Sequence, residues 1–415
     1  MSNKEFSDRL NQFTLKLFSS SASTNEENHV ISPLSVSLAL QMCMIGSKDS
    51  TQSELTDLLC LNDLSSSFDL LQANKSFIDR VNQHLNKSGI SINIANRLYV
   101  MKSFRLRDDY KQMLTKYFDA SIESVDFRKS EKVAKQINDW IERKTNSKIK
   151  DMVDADMLNE LTRFVLLNAI YFKGNWLTKF DERCTRKLKF TQIDGKLADV
   201  DMMILYAQNL KLQSSPCSSP CITCELPYVG KELSMTIILP NVDIQFHEFE
   251  RSLNMKLLSE IVNSKKKSLR LANLYLPKFK IESTIDVKFF FFLISNLILI
   301  YFNLFFLKIK KLNDMLMNLG CRSAFSPSDA DFSGIGDRDP NFENVFISKV
   351  LQKAFIEVNE EGTEAAAVTM VTAKGCSATS SGPTPIEFKC DRPFLFVLHE
   401  TATNCIFFIG KYLKA

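Results

Sequence analysis

Helical patterns and strand patterns occupy different parts of this chain, and that separation limits the fold more than any other feature. In the first third, apolar residues recur three or four positions apart, as in Phe6, Leu10, Phe13 and Leu17, which predicts amphipathic helices. Later segments are typical of strands: RFVLLNAIYFKG, SMTIILP, LRLANLYLPKFKIES, FLFVLHE and CIFFIG. Grouped rather than alternating elements favour an α+β fold over a doubly wound parallel fold.

Capping residues locate two helix starts. Ser32 and Pro33 open the segment SPLSVSLALQMCMIG with a capping hydroxyl and then a proline at the first helical position. Ser130 is the candidate cap of the segment SEKVAKQINDWIERKTNSKI. No repeat and no long Gly/Ser/Pro linker divides the 415 residues, so we expect a single domain over residues 1–415.

The bulk composition excludes several classes of protein. Hydrophobic residues make up 45% and charged residues 24%, which is ordinary for a globular protein. The net charge of +4, from 52 basic and 48 acidic residues, is too balanced to indicate a nucleic-acid or anionic-membrane partner. The first residues lack the apolar core of a signal peptide, so we expect a cytoplasmic protein, or one exported to the extracellular space without a classical signal. The glycosylation sequons at Asn74 and Asn86 would matter only in the secretory route.

One apolar segment does not match its surroundings. Residues 287–311 read VKFFFFLISNLILIYFNLFFLKIKK, and the run from Phe289 to Leu307 is long enough to cross a membrane. A buried helix is a second interpretation, although it would need protein on every side. A translated intron is the interpretation that we favour, because the residue types have A/T-rich codons and the ends fit splice sites. Membrane association is expected only if the segment is a genuine part of the protein.

Motifs for catalysis or metal binding are weak. The sequence contains no G-x-S-x-G, H-E-x-x-H or Walker motif. Cys217, Cys221 and Cys224 have a spacing that can ligate an iron–sulfur cluster, but a loop with incidental thiols is the better interpretation. We therefore predict no enzyme activity, no metal and no cofactor. The basic cluster Lys265, Lys266 and Lys267 could make a weak contact with a sulfated polysaccharide, although a solvated loop is favoured.

The stretch from Glu360 to Cys376, EEGTEAAAVTMVTAKGC, is unusual because small uncharged residues follow two acidic ones. Its alanines favour a helix, whereas its valines and threonines favour a strand. Such mixed preference suggests a segment that adopts two conformations.

Several stretches together resemble the serpin family of serine protease inhibitors. These are FKCDRPFLF at 388–396, FVLLNAIYFKGNW at 164–176, ISPLS at 31–35, ELPYVGKELSMTIILP, LPKFKIES, and VNEEGTEAAA at 358–367. The resemblance covers nearly the whole chain apart from 287–311. It implies three β-sheets with a large central sheet, called sheet A, about eight or nine helices, and an exposed reactive-centre loop within residues 360–387. It also implies a monomer whose partner is a target serine protease, held as a covalent acyl complex.

In this family, a protease cleaves the exposed loop as a suicide substrate, and the severed loop inserts into the central sheet as a new strand. Insertion would bury alternate residues. Counting from Thr363, the inward set is Thr363, Ala365, Ala367, Thr369, Val371 and Ala373. The outward set is Glu364, Ala366, Val368, Met370, Thr372 and Lys374. Both charged side chains fall in the outward set, which favours an inhibitory loop over a merely flexible one.

The resemblance also assigns roles by position. The hinge of the loop comprises Glu360, Glu361, Gly362, Thr363, Glu364, Ala365, Ala366 and Ala367. Glu360 matches a residue that pairs with a lysine, and Lys278 matches that lysine. Trp176 matches the tryptophan of the breach, where the sheet opens. Asn168, Ser32 and Ser35 match the shutter, which controls strand separation.

The reactive bond is predicted at Cys376–Ser377, with Lys374 as the alternative bait residue. A cysteine suits a protease with a small or apolar pocket, whereas a lysine suits a trypsin-like pocket. Three alternative functions stay open: a non-inhibitory serpin that acts as a carrier or chaperone, a cross-class inhibitor of cysteine proteases, and a membrane-anchored interaction protein.

Overall fold

Nine α-helices and three β-sheets make up the part of the chain that the structure, a computed structural model, describes. The described residues are 1–22, 26–62, 67–83, 90–213, 220–285, 312–337, 345–363 and 384–415. The predicted α+β fold, with three sheets and eight or nine helices, is therefore confirmed. The helices are α1 (Asn3–Ala22), α2 (Pro33–Ile45), α3 (Asp49–Leu58), α4 (Ser67–Gln83), α5 (Asp108–Phe118), α6 (Ser130–Lys144), α7 (Phe246–Ser252), α8 (Met255–Val262) and α9 (Leu312–Asn318).

The strands follow in chain order, and the early helices give way to strands as the sequence predicts. They are β1 (His29–Ile31), β2 (Ile90–Met101), β3 (Arg105–Leu106), β4 (Ser121–Val125), β5 (Phe164–Asn175), β6 (Arg186–Thr191), β7 (Leu197–Gln213), β8 (Cys221–Pro227), β9 (Leu233–Pro240), β10 (Ser268–Pro277), β11 (Phe279–Ile285), β12 (Gly336–Asp337), β13 (Lys349–Val358), β14 (Gly362–Thr363), β15 (Ile386–Lys389), β16 (Phe394–Glu400) and β17 (Ile406–Tyr412).

The capping predictions had mixed outcomes. Ser32 caps α2 as expected: its side chain accepts a hydrogen bond from the backbone N–H of Ser35, and Pro33 is the first helical residue. The prediction for Ser130 is wrong by one position, because Ser130 is already helical and Lys129 occupies the cap without a side-chain hydrogen bond. Helix ends are the least certain part of a sequence prediction.

A six-stranded sheet carries the predicted loop hinge. Its strand order is β11-β13-β14-β5-β2-β4. β13 runs parallel to β5 and pairs with it directly from Lys349 opposite Val165 to Phe355 opposite Tyr171. Beyond that point the short strand β14 lies between them, antiparallel to both.

Both faces of this sheet are covered by helices. α2 packs against β5 and β2, and α6 packs against β2. The cluster that includes Ile137 and Trp140 of α6 contains Val165 and Leu167 of β5. Nine consecutive residues of β5 are buried as a result, which explains why its sequence is apolar without alternation.

The second sheet has nine strands in the order β1-β17-β16-β9-β8-β7-β10-β15, with β6 paired to β7. β12 and β3 form a third, two-stranded sheet. Within the described ranges, no helix is long and apolar enough to cross a membrane. The apolar segment 287–311 lies outside those ranges, so its three interpretations stay predictions.

Candidate functional site

The candidate site lies at the end of the six-stranded sheet where β14 separates β13 from β5, beyond the pair of Phe355 and Tyr171. Gly362 lies opposite Asn175, and Thr363 lies opposite Gly174 on one side and Val358 on the other. A Cβ atom on Gly362 would lie 2.1 Å from the carbonyl oxygen of Gly174. The position therefore requires glycine because two backbones approach each other closely. Gly362 and Thr363 of the hinge thus already form a strand.

Glu360 is a buried carboxylate beside this strand. Its Oε2 lies 2.8 Å from the Nζ of Lys278, which stands between β10 and β11, and its Oε1 accepts a hydrogen bond from the hydroxyl of Thr185 at 2.9 Å. Burial alone would raise the pKa of Glu360, but the hydrogen bonds from Lys278, the backbone and Thr185 outweigh it and lower the pKa. The carboxylate is therefore held ionised and in a fixed direction.

The turn between β13 and β14 is bound through its backbone. Three successive carbonyl oxygens, at 359, 360 and 361, accept hydrogen bonds of 2.9–3.0 Å from the Nε1 of Trp176, the N–H of Phe180 and the N–H of Trp176 respectively. The side chain of Asn359 accepts hydrogen bonds from the N–H groups of residues 361 and 362. The carboxylate of Glu361 contacts the ammonium of Lys179.

Thr363 points into an aromatic pocket. Its hydroxyl lies 2.6 Å from the phenol oxygen of Tyr228, and both residues are fully buried. The ring of Tyr228 stacks on Trp176 with a centroid distance of 4.5 Å. Thr363 thus faces inward, and its hydroxyl has a partner in a site that would otherwise be unfavourable for a polar group.

A row of amides crosses the middle of the same sheet. Asn96 of β2, Asn168 of β5 and Gln352 of β13 are cross-strand neighbours, and all three are buried. The amide nitrogen of Asn168 donates to the Asn96 side chain at 2.5 Å and to the carbonyl of Ser35 at 2.7 Å. Gln352 donates to the carbonyl of Ser32 at 2.8 Å and to Asn168 at 3.0 Å. The row fastens β13 and β5 to each other and to the start of α2.

The structure brings most of the sequence-predicted residues into two groups. Glu360, Glu361, Gly362, Thr363, Lys278 and Trp176 meet at the turn, whereas Asn168, Ser32 and Ser35 meet at the amide row. The sequence reasoning missed six further members, which are Lys179, Thr185, Tyr228, Asn359, Asn96 and Gln352. For Gln352 and Asn96 a signal existed, because an amide inside a buried apolar strand needs a partner.

The remaining predicted loop residues lie outside the described part of the chain. This applies to Glu364, Ala365, Ala366 and Ala367 of the hinge, to the reactive bond Cys376–Ser377, and to the alternative bait residue Lys374.

The basic cluster matches the prediction of solvated side chains at Lys265 and Lys266, which are exposed, but not at Lys267. The ammonium of Lys267 is fully buried and donates to Glu225 at 2.9 Å and to Thr236 at 2.8 Å. Lys266 pairs with Glu260 at 3.0 Å. Lys267 is therefore wrong as a polysaccharide contact, because a buried, paired ammonium cannot face a ligand in solvent.

Two other sequence motifs also find structural explanations. Cys221 and Cys224 are buried three positions apart in β8, so their side chains leave opposite faces of the strand and cannot share a metal ion. Burial raises the pKa of Cys224 to about 12. The sequon residue Asn74 is fully buried and donates to the side chain of Gln41 at 2.7 Å, which leaves no room for a glycan.

Comparison with known proteins identifies one family. The family model described as "Serpin (serine protease inhibitor)" matches residues 8–291 and 305–415, and the gap between these ranges falls within 287–311. Human Serpin B8 is 34% identical over 390 residues, covering 94% of this chain and 93% of the relative.

Solved structures have the same fold. Serpin48 of the insect Tenebrio molitor matches with a TM-score of 0.83 and 29% identity, covering 100% of this chain and 99% of that one. Native protease nexin-1, solved with heparin, matches with a TM-score of 0.82, covering 100% of both chains. At 24% identity the latter likeness concerns the fold alone.

Proposed function

Because this chain belongs to the serpin family, we propose that it inhibits a serine protease as a suicide substrate, by insertion of the cleaved loop between β13 and β5. The observation that carries the proposal is β14. Its two residues already lie between these strands, with Thr363 buried as the first inward-facing residue. If the following residues continue this alternation of inward and outward side chains, the inward positions are filled by the small or β-branched residues of the predicted inward set.

The path of insertion follows from the strand pairing. β13 and β5 are hydrogen-bonded neighbours below β14, so a longer inserted strand requires that they separate. The amide row of Asn96, Asn168 and Gln352 crosses this seam. Replacing one parallel pairing by two antiparallel pairings adds a strand's backbone hydrogen bonds, which supports an inserted state of lower free energy.

The finer assignments belong to the same proposal. The reactive bond is Cys376–Ser377, with Lys374 as the alternative, and the partner is a serine protease held as an acyl ester. The protein itself is not a catalyst, acts as a monomer, and is located in the cytoplasm or in the extracellular space. The weak polysaccharide contact is limited to Lys265 and Lys266, which are exposed, whereas Lys267 is buried.

The test compares two arginine substitutions in opposite phase. Ala365→Arg places a charge at an inward position, whereas Ala366→Arg places the same charge at an outward one. The unmodified protein and both variants are incubated with one trypsin-like, one chymotrypsin-like and one elastase-like protease, and then separated on denaturing gels. We expect an SDS-stable complex with the unmodified protein and with Ala366→Arg, and cleavage without a complex for Ala365→Arg, because the inward charge would be buried.

Three other outcomes would contradict parts of the proposal. A covalent complex with Ala365→Arg would refute strand insertion. Cleavage of the unmodified protein without a complex would indicate a non-inhibitory serpin. A complex that forms only in a parallel incubation with a cysteine protease would indicate cross-class inhibition. The new N-terminus of the released peptide shows whether the protease cleaves after Lys374 or after Cys376.

A further inference from the structure

The two adjacent acidic residues of the turn have different partners. Glu360 is buried and pairs with Lys278, which lies beyond β10. Glu361 pairs instead with Lys179, in the segment that follows β5, and the exposed fractions of these two side chains are 24% and 38%. The turn is therefore held by two ion pairs that approach from different elements, and sequence analysis assigned a partner only to the first.

Lys179 belongs to the segment that also binds the turn through its backbone. Residues 176–180 supply the backbone N–H of Trp176, its indole N–H and the N–H of Phe180 to the three carbonyl oxygens of the turn. Backbone carbonyls are alike, so these bonds alone do not fix the register. If the loop advanced by one residue, Gly362 would take the place of Glu361 and Lys179 would lose its carboxylate partner. The ion pair therefore acts against this displacement in addition to the close backbone approach that requires glycine at position 362.

The register decides which loop residues enter the core. Thr363 is opposite Gly174 in the observed register, and it faces the phenol of Tyr228. A displacement of one residue would move every following side chain to the opposite face of the sheet. Glu364, which follows in the sequence, would then be directed inward. Its carboxylate would be buried without a partner, and this cost would stop the strand from inserting further.

We propose that Lys179 and Glu361 form a register clamp, and that these positioning residues set the fraction of cleaved loops that insert before the protease is released. This inference rests on the proposed function. After the protease serine has attacked the reactive carbonyl and the amine side has left, two events compete for the acyl ester. Insertion traps the ester, whereas attack by water breaks it, giving a free carboxylate on the loop and regenerating the serine hydroxyl. Loss of the clamp slows the first event and leaves the second unchanged.

The experiment measures the ratio of cleaved inhibitor to covalent complex. We expect Lys179→Gln and Glu361→Gln each to raise this ratio roughly two- to five-fold, the range that corresponds to a partly exposed ion pair. The rate at which protease attacks the loop should stay the same, because neither residue belongs to the reactive bond. The exchange variant K179E/E361K should return the ratio to that of the unmodified protein, since it restores an ion pair.

The matched control is Lys75→Gln. Lys75 pairs with Asp79 at 3.2 Å within α4, and its side chain is 41% exposed, close to the 38% of Lys179. An equal rise in the ratio for this control, or no recovery in the exchange variant, would overturn the clamp.

A second readout separates failure of the clamp from failure of the proposed function. Hydrogen exchange of the Gly362 and Thr363 amides is measured in the protein alone, without protease. The clamp predicts faster exchange in both single variants and recovery in the exchange variant, and unchanged exchange in the single variants would refute it. If the unmodified protein forms no complex with any protease, the proposed function fails, whatever the exchange rates are.

Discussion

Acid should destabilise this protein through His399, a fully buried residue of β16. Its Nε2 lies 3.0 Å from the hydroxyl of Thr236, and the ammonium of Lys267 donates to the same hydroxyl at 2.8 Å. Lys267 can only donate, so the hydroxyl accepts from it and keeps its own proton free to donate to the Nε2 of a neutral imidazole. Burial, and then the charge of Lys267, lower the pKa of His399 to about 3.

The size of the effect follows from proton linkage. His399 has a pKa of about 3 in the folded protein and an ordinary value of 6.5. Between these values the unfolded chain binds a proton that the folded protein does not, so stability is complete above pH 6.5 and is lost as the pH falls. From pH 7 to pH 5 the loss is about 2 kcal/mol, and the full difference of about 3.5 pKa units corresponds to about 5 kcal/mol. The pKa of His29 is lowered to about 4 by burial and by Lys411, so His29 adds a similar loss of stability between pH 7 and pH 5.

Urea unfolding at pH 7 and pH 5, followed by circular dichroism, measures this loss. We expect His399→Gln to lose about 2 kcal/mol less than the unmodified protein between the two pH values, because one titrating group is gone. His247→Gln is the matched control, since it removes a half-exposed imidazole at the surface. If His399→Gln lost as much stability as the unmodified protein, the buried neutral imidazole would not be the cause.

Two further substitutions test the site itself. Asn168→Ala should lower the free energy of unfolding by about 2–4 kcal/mol, because its hydrogen-bond partners on neighbouring elements become unsatisfied in the core. A decrease of less than about 1 kcal/mol in urea unfolding would contradict this. Gly362→Ala should expel β14 from the sheet, because the new Cβ would lie 2.1 Å from the Gly174 carbonyl oxygen. Denaturing gels should then show cleavage without a covalent complex, and an undiminished yield of complex would show that the close approach is not required.

Sequence pattern predicted the elements better than their partners. The apolar run of β5 and the cap of α2 were readable because they depend on neighbouring residues. Cross-strand contacts were not readable, because Asn96, Asn168 and Gln352 are far apart in the chain and meet only through the register of three strands. The pair of Lys278 and Glu360 was expected only from the family resemblance.

The burial and pairing of charged side chains were the properties predicted least well from the sequence. Lys267 stands in a run of three lysines, which indicates a solvated loop, yet its side chain is buried against Glu225. A charged side chain is buried only where a partner on another strand pairs with it, and the local sequence does not identify that partner. The same reason explains why Lys179 was not connected with Glu361.

The two tryptophans of the chain stand at different points along the route of loop insertion. Trp176 stacks on Tyr228 where the loop would enter, whereas Trp140 lies on α6, which packs over β2, one strand away from β5. Trp140→Phe leaves one indole at the start of the route, and Trp176→Phe leaves one beside its middle. Stopped-flow fluorescence of the two variants can therefore time the arrival of the strand at each point, without any attached dye.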